Sequence, residues 1–277
     1  MNDDVWGSDA LDLDAYLDRV GYGGQLDPSA ETLKELQSRH VASIPFENLD
    51  ILLGRGILLD LPSLQGKLVR SRRGGYCFEN NLLFAAVLDR LGFAFTGLAA
   101  RVTLGSTQPR PQSHMCLCVE ASGERWLTDV GFGGDGLLEP LPMRTGVQAS
   151  QGAGRWEFSL ITRQDGSWAL QSSRPSGWLE MYTFTLEPRW PVDYQVSSWY
   201  TSTSPHSPFT TRLIVQRVGE DLRSSLIDDE LTLIAPGWKA DVRRVEPADR
   251  PSVLAHTFDI QLGPEDATAL QHLTPQR

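Results

Sequence analysis

Arg73-Gly74-Gly75-Tyr76-Cys77-Phe78-Glu79-Asn80-Asn81 is the stretch on which the reading of this chain turns. Two glycines lead into a thiol. Behind it runs Leu82-Leu83-Phe84-Ala85-Ala86-Val87-Leu88, with Leu91 beyond. A run this apolar reads as a buried helix, which puts Cys77 where a loop turns into a helix N-terminus. Unpaired N–H groups and the positive end of the helix dipole favour an anion there, and a thiolate is one. The plainer reading of a free cysteine is a small buried hydrophobe. The choice between the two depends on the rest of the chain.

The chain has 277 residues, 40% of them hydrophobic and 22% charged, with a formal net charge of -10. Such a composition builds a packed core rather than a disordered segment. The acidic balance argues against nucleic acid and against an anionic membrane surface as main partners. Met1-Asn2-Asp3-Asp4 has neither the basic nor the apolar region of a signal peptide, and Asp89 and Arg90 interrupt the longest apolar run before it could span a bilayer. Cys77, Cys116 and Cys118 are an odd set and do not form a disulfide framework. The expectation is a soluble cytoplasmic protein with reduced thiols.

Residues 1–92 read as helical. Leu13, Tyr16, Leu17 and Val20 recur at helical spacing and stop at Gly21. Asp27-Pro28 reads as an N-cap with proline at the first helical position, and Pro45 ends that helix. Ile44-Pro45-Phe46-Glu47-Asn48-Leu49 reads as a loop presenting an exposed aromatic residue. From about residue 93 the period changes to two. Strands are expected over 93–101, 114–120, 125–130, 156–162, 168–172 and 180–186, with a hairpin turn at Asp165-Gly166. This pattern suggests a small antiparallel barrel or curled sheet. The Gly- and Pro-rich segment 131–155 reads as a loop. Beyond residue 199 the pattern is mixed: a Ser/Pro-rich loop over 202–209, strands over 213–218 and 224–234, and a terminal helix over 266–273. The expected regions are therefore 1–92, 93–199 and 200–277.

A cysteine nucleophile needs a base, and the base needs a group to orient it. Of five histidines, His40 reads as a surface or packing residue, and His206, His256 and His272 lie in no motif. His114 begins the alternating segment His114-Met115-Cys116-Leu117-Cys118-Val119-Glu120. If Ser122-Gly123 is a two-residue hairpin loop, Ala121 pairs with Glu124. Counting back sets Cys116 opposite Asp129, and Asp129 falls diagonal to His114 on the same face. A one-residue slip would put Asp129 on the other face. The competing reading is a zinc site from His114, Cys116, Cys118 and Cys77, but the spacing is not that of the usual paired knuckles, and the expectation is no metal.

With these residues in hand the chain resembles the arylamine N-acetyltransferases of prokaryotic type. The matching pieces are Arg73-Gly-Gly-Tyr-Cys-Phe-Glu-Asn80, Ser113-His-Met115 and Asp129-Val-Gly-Phe-Gly133, with Ile44-Pro-Phe-Glu-Asn-Leu49 and the Ser202–Thr210 segment beside them. The resemblance implies an α+β fold: an N-terminal helical bundle, a central antiparallel β-barrel and a C-terminal α/β lid, around a core like that of cysteine proteases and transglutaminases. It implies a Cys77–His114–Asp129 triad and acetyl transfer from acetyl-CoA, the acyl-donor substrate, to an arylamine or arylhydrazine. Phe46, Phe132 and Phe209 match acceptor-pocket positions. Ser113, Gly131, Gly133 and Phe209 match positions near coenzyme A. Arg72, Lys239, Arg243 and Arg244 are candidates for its phosphates by charge alone. The same triad would serve an amide synthase, or a cysteine hydrolase, which would turn over a thioester with water alone. The oligomeric state is not legible in the residues.

Overall fold

The computed structural model describes residues 4–273; Met1, Asn2 and Asp3 of the acidic N-terminus lie outside the described residues. The first 92 residues hold helices α1 (Leu13–Val20) and α2 (Ala30–Ser43), the single turns α3 (Leu49–Leu52) and α4 (Leu61–Leu64), and α5 (Cys77–Arg90). Between α3 and α2 lies a two-residue strand, β1 (Phe46–Glu47). Helix α1 stops where expected, with Gly21 in the left-handed conformation at φ 67°. Helix α2 is capped by Ser29 and not by Asp27-Pro28: the Ser29 hydroxyl accepts from the Thr32 N–H, while the Asp27 carbonyl is spent on a turn to Ser29.

Helix α5 is buried around nearly its whole circumference, from Cys77 to Leu88, as a helix without a polar face must be. One side packs on the first two strands of an eight-stranded antiparallel sheet. Its strands are β2 (Ala94–Val102), β3 (His114–Ala121), β4 (Glu124–Thr128), β5 (Leu141–Pro142), β6 (Val147–Gln151), β7 (Trp156–Thr162), β8 (Trp168–Arg174) and β9 (Gly177–Phe184). Their spatial order is β5-β4-β3-β2-β9-β8-β7-β6, and the edges β5 and β6 approach each other, so the sheet nearly closes into a barrel. The fold class is α+β. Strands β5 and β6 fall in the segment expected to be loop. β5 is two residues long and contains a proline, and the alternation of β6 spans only the five residues Val147–Gln151, too few to stand out among the glycines and prolines around them.

Helix α6 (Pro191–Thr203) was not legible either, because Val, Ser, Thr and aromatic residues are weak helix formers. It forms by burying Tyr194, Ser198 and Thr201 on one face, with the Tyr194 ring 6.0 Å from that of Phe78. The segment expected as one strand over 224–234 is a hairpin, β11 (Arg223–Ile227) and β12 (Glu230–Ala235), turning at Asp228 with φ 57°. With β10 (Ile214–Val218) and β13 (Lys239–Arg244) it forms a second antiparallel sheet. The far edge of that sheet is β1, which pairs with β10 through Phe46↔Gln216 and Glu47↔Val215. Phe46 is thus a buried strand residue rather than an exposed loop aromatic. Helices α7 (Arg250–Phe258) and α8 (Pro264–His272) close the chain.

One hydrophobic core runs continuously from α1, α2 and α5 into the barrel, and a smaller one, built around Leu226, Leu231, Leu254 and Phe258, lies under the second sheet. Among the described residues, no helix is long and apolar enough to cross a membrane.

Candidate active site

Cys77 is the first residue of α5, directly behind Tyr76. The Glu79 carboxylate caps this end by accepting from the Tyr76 N–H at 3.0 Å. The Glu79 carboxylate itself is held by Lys67 at 2.8 Å, and Lys67 reaches Asp50 at the same distance. Arg73 pairs with Glu47 at 2.7 Å and with Asp50 at 3.3 Å. Burial pushes the Glu79 carboxyl up, against the pull of Lys67. This ion network pins the Arg73–Tyr76 turn that presents the thiol. An Ala in place of Gly74 would meet the Pro45 carbonyl, so the turn packs too closely against β1 for a side chain there.

The β3–β4 hairpin has the register read from the sequence. Ser122 and Gly123 both have positive φ, 52° and 78°, as a type I′ turn requires, and Ala121 pairs with Glu124. The ladder ends at Leu117↔Thr128, one step before Asp129. At that point the Asn81 side chain takes the place of a strand partner. Its amide donates to the Met115 carbonyl at 2.7 Å and its oxygen accepts from the Val130 N–H at 3.1 Å. The same amide donates to Asp129 Oδ1 at 3.1 Å, which also accepts from the Gly131 N–H at 2.9 Å.

Asp129 Oδ2 is therefore left for His114, and lies 2.7 Å from its Nε2. With Nε2 taken by Asp129, Nδ1 is the ring nitrogen left for Cys77, whose side chain contributes to holding the imidazole charged. Cys77 Sγ donates to the Ser113 carbonyl at 3.6 Å. Cys77, His114 and Asp129 are 4%, 3% and 1% exposed, so their interactions are unscreened by bulk water. Burial opposes the charge on His114, but the Asp129 carboxylate outweighs it and pushes the imidazole up to about 10. Cys116 and Cys118 lie on the same strand as His114, and burial pushes both thiols up. Among the described residues no three His, Cys, Asp or Glu side chains converge as a metal site would need.

A thiol at a helix N-terminus beside a buried histidine that is paired with a carboxylate is an arrangement suited to acyl transfer. An N-acetyltransferase family model matches residues 29–267. The chain belongs to the arylamine N-acetyltransferase family. It is 39% identical over 261 residues to the arylamine N-acetyltransferase of Mycolicibacterium smegmatis, covering 92% of this chain and 94% of that one. The arylamine N-acetyltransferase of Nocardia farcinica superposes with a TM-score of 0.92 at 43% identity, covering 98% of each chain. That of Mycobacterium marinum, solved in complex with CoA, gives 0.87 at 34% identity, covering 94% of this chain and 98% of that one. Members of this family are acyltransferases, and so is this chain.

The aromatic residues expected at the site fall into two groups. The Phe132 ring meets His114 edge-on, with centroids 5.3 Å apart. Phe46 and Phe209 pack together at 5.8 Å, and Phe209 also meets Tyr76 at 6.1 Å. Phe46 and Phe132 line one narrow cavity beside Asp129, with Gly133 and Gln216. A larger cleft of about 520 Å³, lined by Asp50, Lys67, Arg73 and Glu79, includes none of the three triad residues. At Gly131 a Cβ would sit 2.7 Å from the Cys77 carbonyl oxygen and 2.8 Å from its Cα. At Gly133, with φ 89°, it would meet Gln216. Neither position has room for a side chain, which would collide with Cys77 at Gly131 and with Gln216 at Gly133. Arg72 pairs with Asp259 at 3.2 Å, Arg244 lies 3.6 Å from Asp229, and Lys239 and Arg243 are exposed on β13.

Two contributors were not read from the sequence. Asn81 stands four residues after Cys77, on the same helix face, immediately before the apolar run; that spacing was a usable signal. Tyr182, on β9, packs its ring 5.1 Å from His114 and 5.4 Å from Phe132. No local pattern marks it, because β9 reaches β2 across about eighty intervening residues.

Proposed function

We propose that this chain transfers an acetyl group from acetyl-CoA to an arylamine or arylhydrazine by a ping-pong mechanism, through an acetyl-Cys77 intermediate. The observation that carries the reading is that buried His114 pairs with Asp129 at 2.7 Å and has the Cys77 side chain among the groups that hold it charged. The Cys77 thiolate, paired with the His114 imidazolium, attacks the thioester carbonyl. The bond from the acetyl carbon to Sγ forms, the bond to the CoA sulfur breaks, and His114 gives its proton to the departing thiol. The amine then attacks the acetyl-cysteine, and neutral His114 removes its proton as Sγ leaves. Asp129 holds the tautomer of His114 and balances its charge throughout. An arylamine is weakly basic, hence neutral and nucleophilic at pH 7, and its flat ring suits Phe46, Phe132 and Phe209.

In this reading Ser113, Gly131, Gly133 and Phe209 lie along the path of coenzyme A, supported by the CoA complex of the M. marinum relative. Residues 1–92 supply the nucleophile, 93–199 the base and its carboxylate, and 200–277 the lid. Incubation with acetyl-CoA alone is expected to add one acetyl group, mapped to Cys77 by peptide mass spectrometry. An aniline should then discharge it and yield the acetanilide. Acetyl transfer that survives Cys77→Ala, with intersecting double-reciprocal plots, would refute the reading.

A further inference from the structure

Behind the nucleophile a second line of buried polar groups runs away from the triad. The Tyr16 hydroxyl on α1 lies 2.9 Å from Nδ1 of His40 on α2. Nε2 of His40 lies 3.1 Å from Oδ1 of Asn80 on α5. The Asn80 amide donates to the Gly75 carbonyl at 2.6 Å and to the Tyr76 carbonyl at 3.3 Å. All three side chains are fully buried. Acyl transfer as derived above uses none of them.

The proton positions follow from the donor count. Asn80 spends its NH2 on two carbonyls, so its oxygen is the side that faces His40. Nε2 of His40 must then carry a proton, and Nδ1 accepts from the Tyr16 hydroxyl. Burial is the main influence on this ring and, with Arg19 nearby, lowers it to about 4 against the pull of Asn80, so it is neutral at pH 7. A neutral ring with its single proton on Nε2 selects one orientation of the amide. The flipped amide would set oxygen against the Gly75 carbonyl and leave buried groups unpaired.

The line ends on the two peptides immediately before Cys77. The Gly75 carbonyl also accepts from the Glu47 N–H at 3.1 Å, and the Gly75 N–H donates to the Pro45 carbonyl at 3.2 Å. This peptide is thus held from one side by the chain at β1 and from the other by Asn80.

We propose that His40 is a positioning residue for the nucleophile: acting through Asn80, it fixes the Gly75 and Tyr76 carbonyls, and so aims Cys77 Sγ at His114. The proposal rests on Cys77 being the acyl acceptor. His40 touches neither substrate nor reacting atoms, so its effect is on geometry. A displacement of the order of 1 Å at a reacting centre costs up to ~100-fold in rate.

The test is single-turnover acylation of Cys77 by acetyl-CoA in His40→Leu, His40→Gln and Asn80→Asp, with the folded fraction set by circular dichroism and CoA affinity by calorimetry. His40→Leu should slow acylation by about tenfold or more while CoA affinity stays within twofold. His40→Gln keeps a donor within reach of Asn80 and should recover most of the rate. Asn80→Asp is isosteric but cannot donate to the carbonyls, and should be as slow as His40→Leu. It keeps the proposal falsifiable if His40→Leu does not fold. A merely structural role would move stability in all three without separating Gln from Leu. Folded His40→Leu or Asn80→Asp acylated at the wild-type rate would overturn the proposal. Wild-type protein that forms no acetyl-cysteine would instead overturn the acyl-transfer reading itself.

Discussion

Replacing Asp129 with asparagine exchanges one oxygen for an amide nitrogen and reverses one hydrogen bond. The oxygen of the new side chain can keep the bonds from Asn81 Nδ2, at 3.1 Å, and from the Gly131 N–H, at 2.9 Å. Its NH2 then stands where Oδ2 was, 2.7 Å from His114 Nε2. An amide donates there, so Nε2 must accept, and the ring proton moves to Nδ1, facing Cys77. In that tautomer His114 cannot take the thiol proton. The imidazolium also loses the carboxylate that held it, and only Cys77 then opposes the burial that lowers the ring. In serine triads the tautomer error by itself costs about 10⁴ in rate, or roughly 5 kcal/mol. Acylation of Asp129→Asn should therefore fall about 10³- to 10⁴-fold. Rapid mixing with acetyl-CoA, with released CoA thiol read by a chromogenic disulfide, measures it. Circular dichroism should match the wild type, because two of the three hydrogen bonds survive. A folded variant acylated within tenfold of the wild-type rate would refute the tautomer argument.

Brief iodoacetamide treatment at mildly acidic pH should label Cys77 before Cys116 and Cys118, whose thiols burial pushes up; equal labelling of all three on peptide mapping would contradict this. Gly131→Ala should cut acylation by at least about tenfold with a smaller loss of stability, since its Cβ would press on the Cys77 backbone at 2.7 Å; normal acylation would mean the loop shifts without cost to the site. His40 is held at about 4 against an unfolded value near 6.5, so stability is complete above pH 6.5 and falls as pH drops toward 4, by about 3 kcal/mol in all. Urea unfolding at pH 7, 6 and 5 should show His40→Gln losing less free energy over that window than the wild type; parallel losses would assign the slope to other groups.

Part of this molecule is decided locally. The apolar run after Gly-Gly-Tyr-Cys reads as a buried helix, and the thiol does lie at its start. The Ser122-Gly123 turn sets the β3–β4 register, and period two then fixes which face carries His114 and where Asp129 stands. These features rest on hydrogen bonds between near neighbours, and the residues spell them out. Short or proline-bearing strands such as β6 and β5, and a helix of weak helix formers such as α6, take their structure from what they bury, so their residues carry little signal. Long-range pairing decides the rest. Strand β9 beside β2 brings Tyr182 onto His114, and β1 beside β10 buries Phe46 in place of exposing it. Asn81 ends a ladder it does not belong to, and His40, read as surface or packing, is buried behind the nucleophile. In each case the partner lies tens of residues away, where no local pattern reaches, and only packing of one element on another could place the atom that completes the bond.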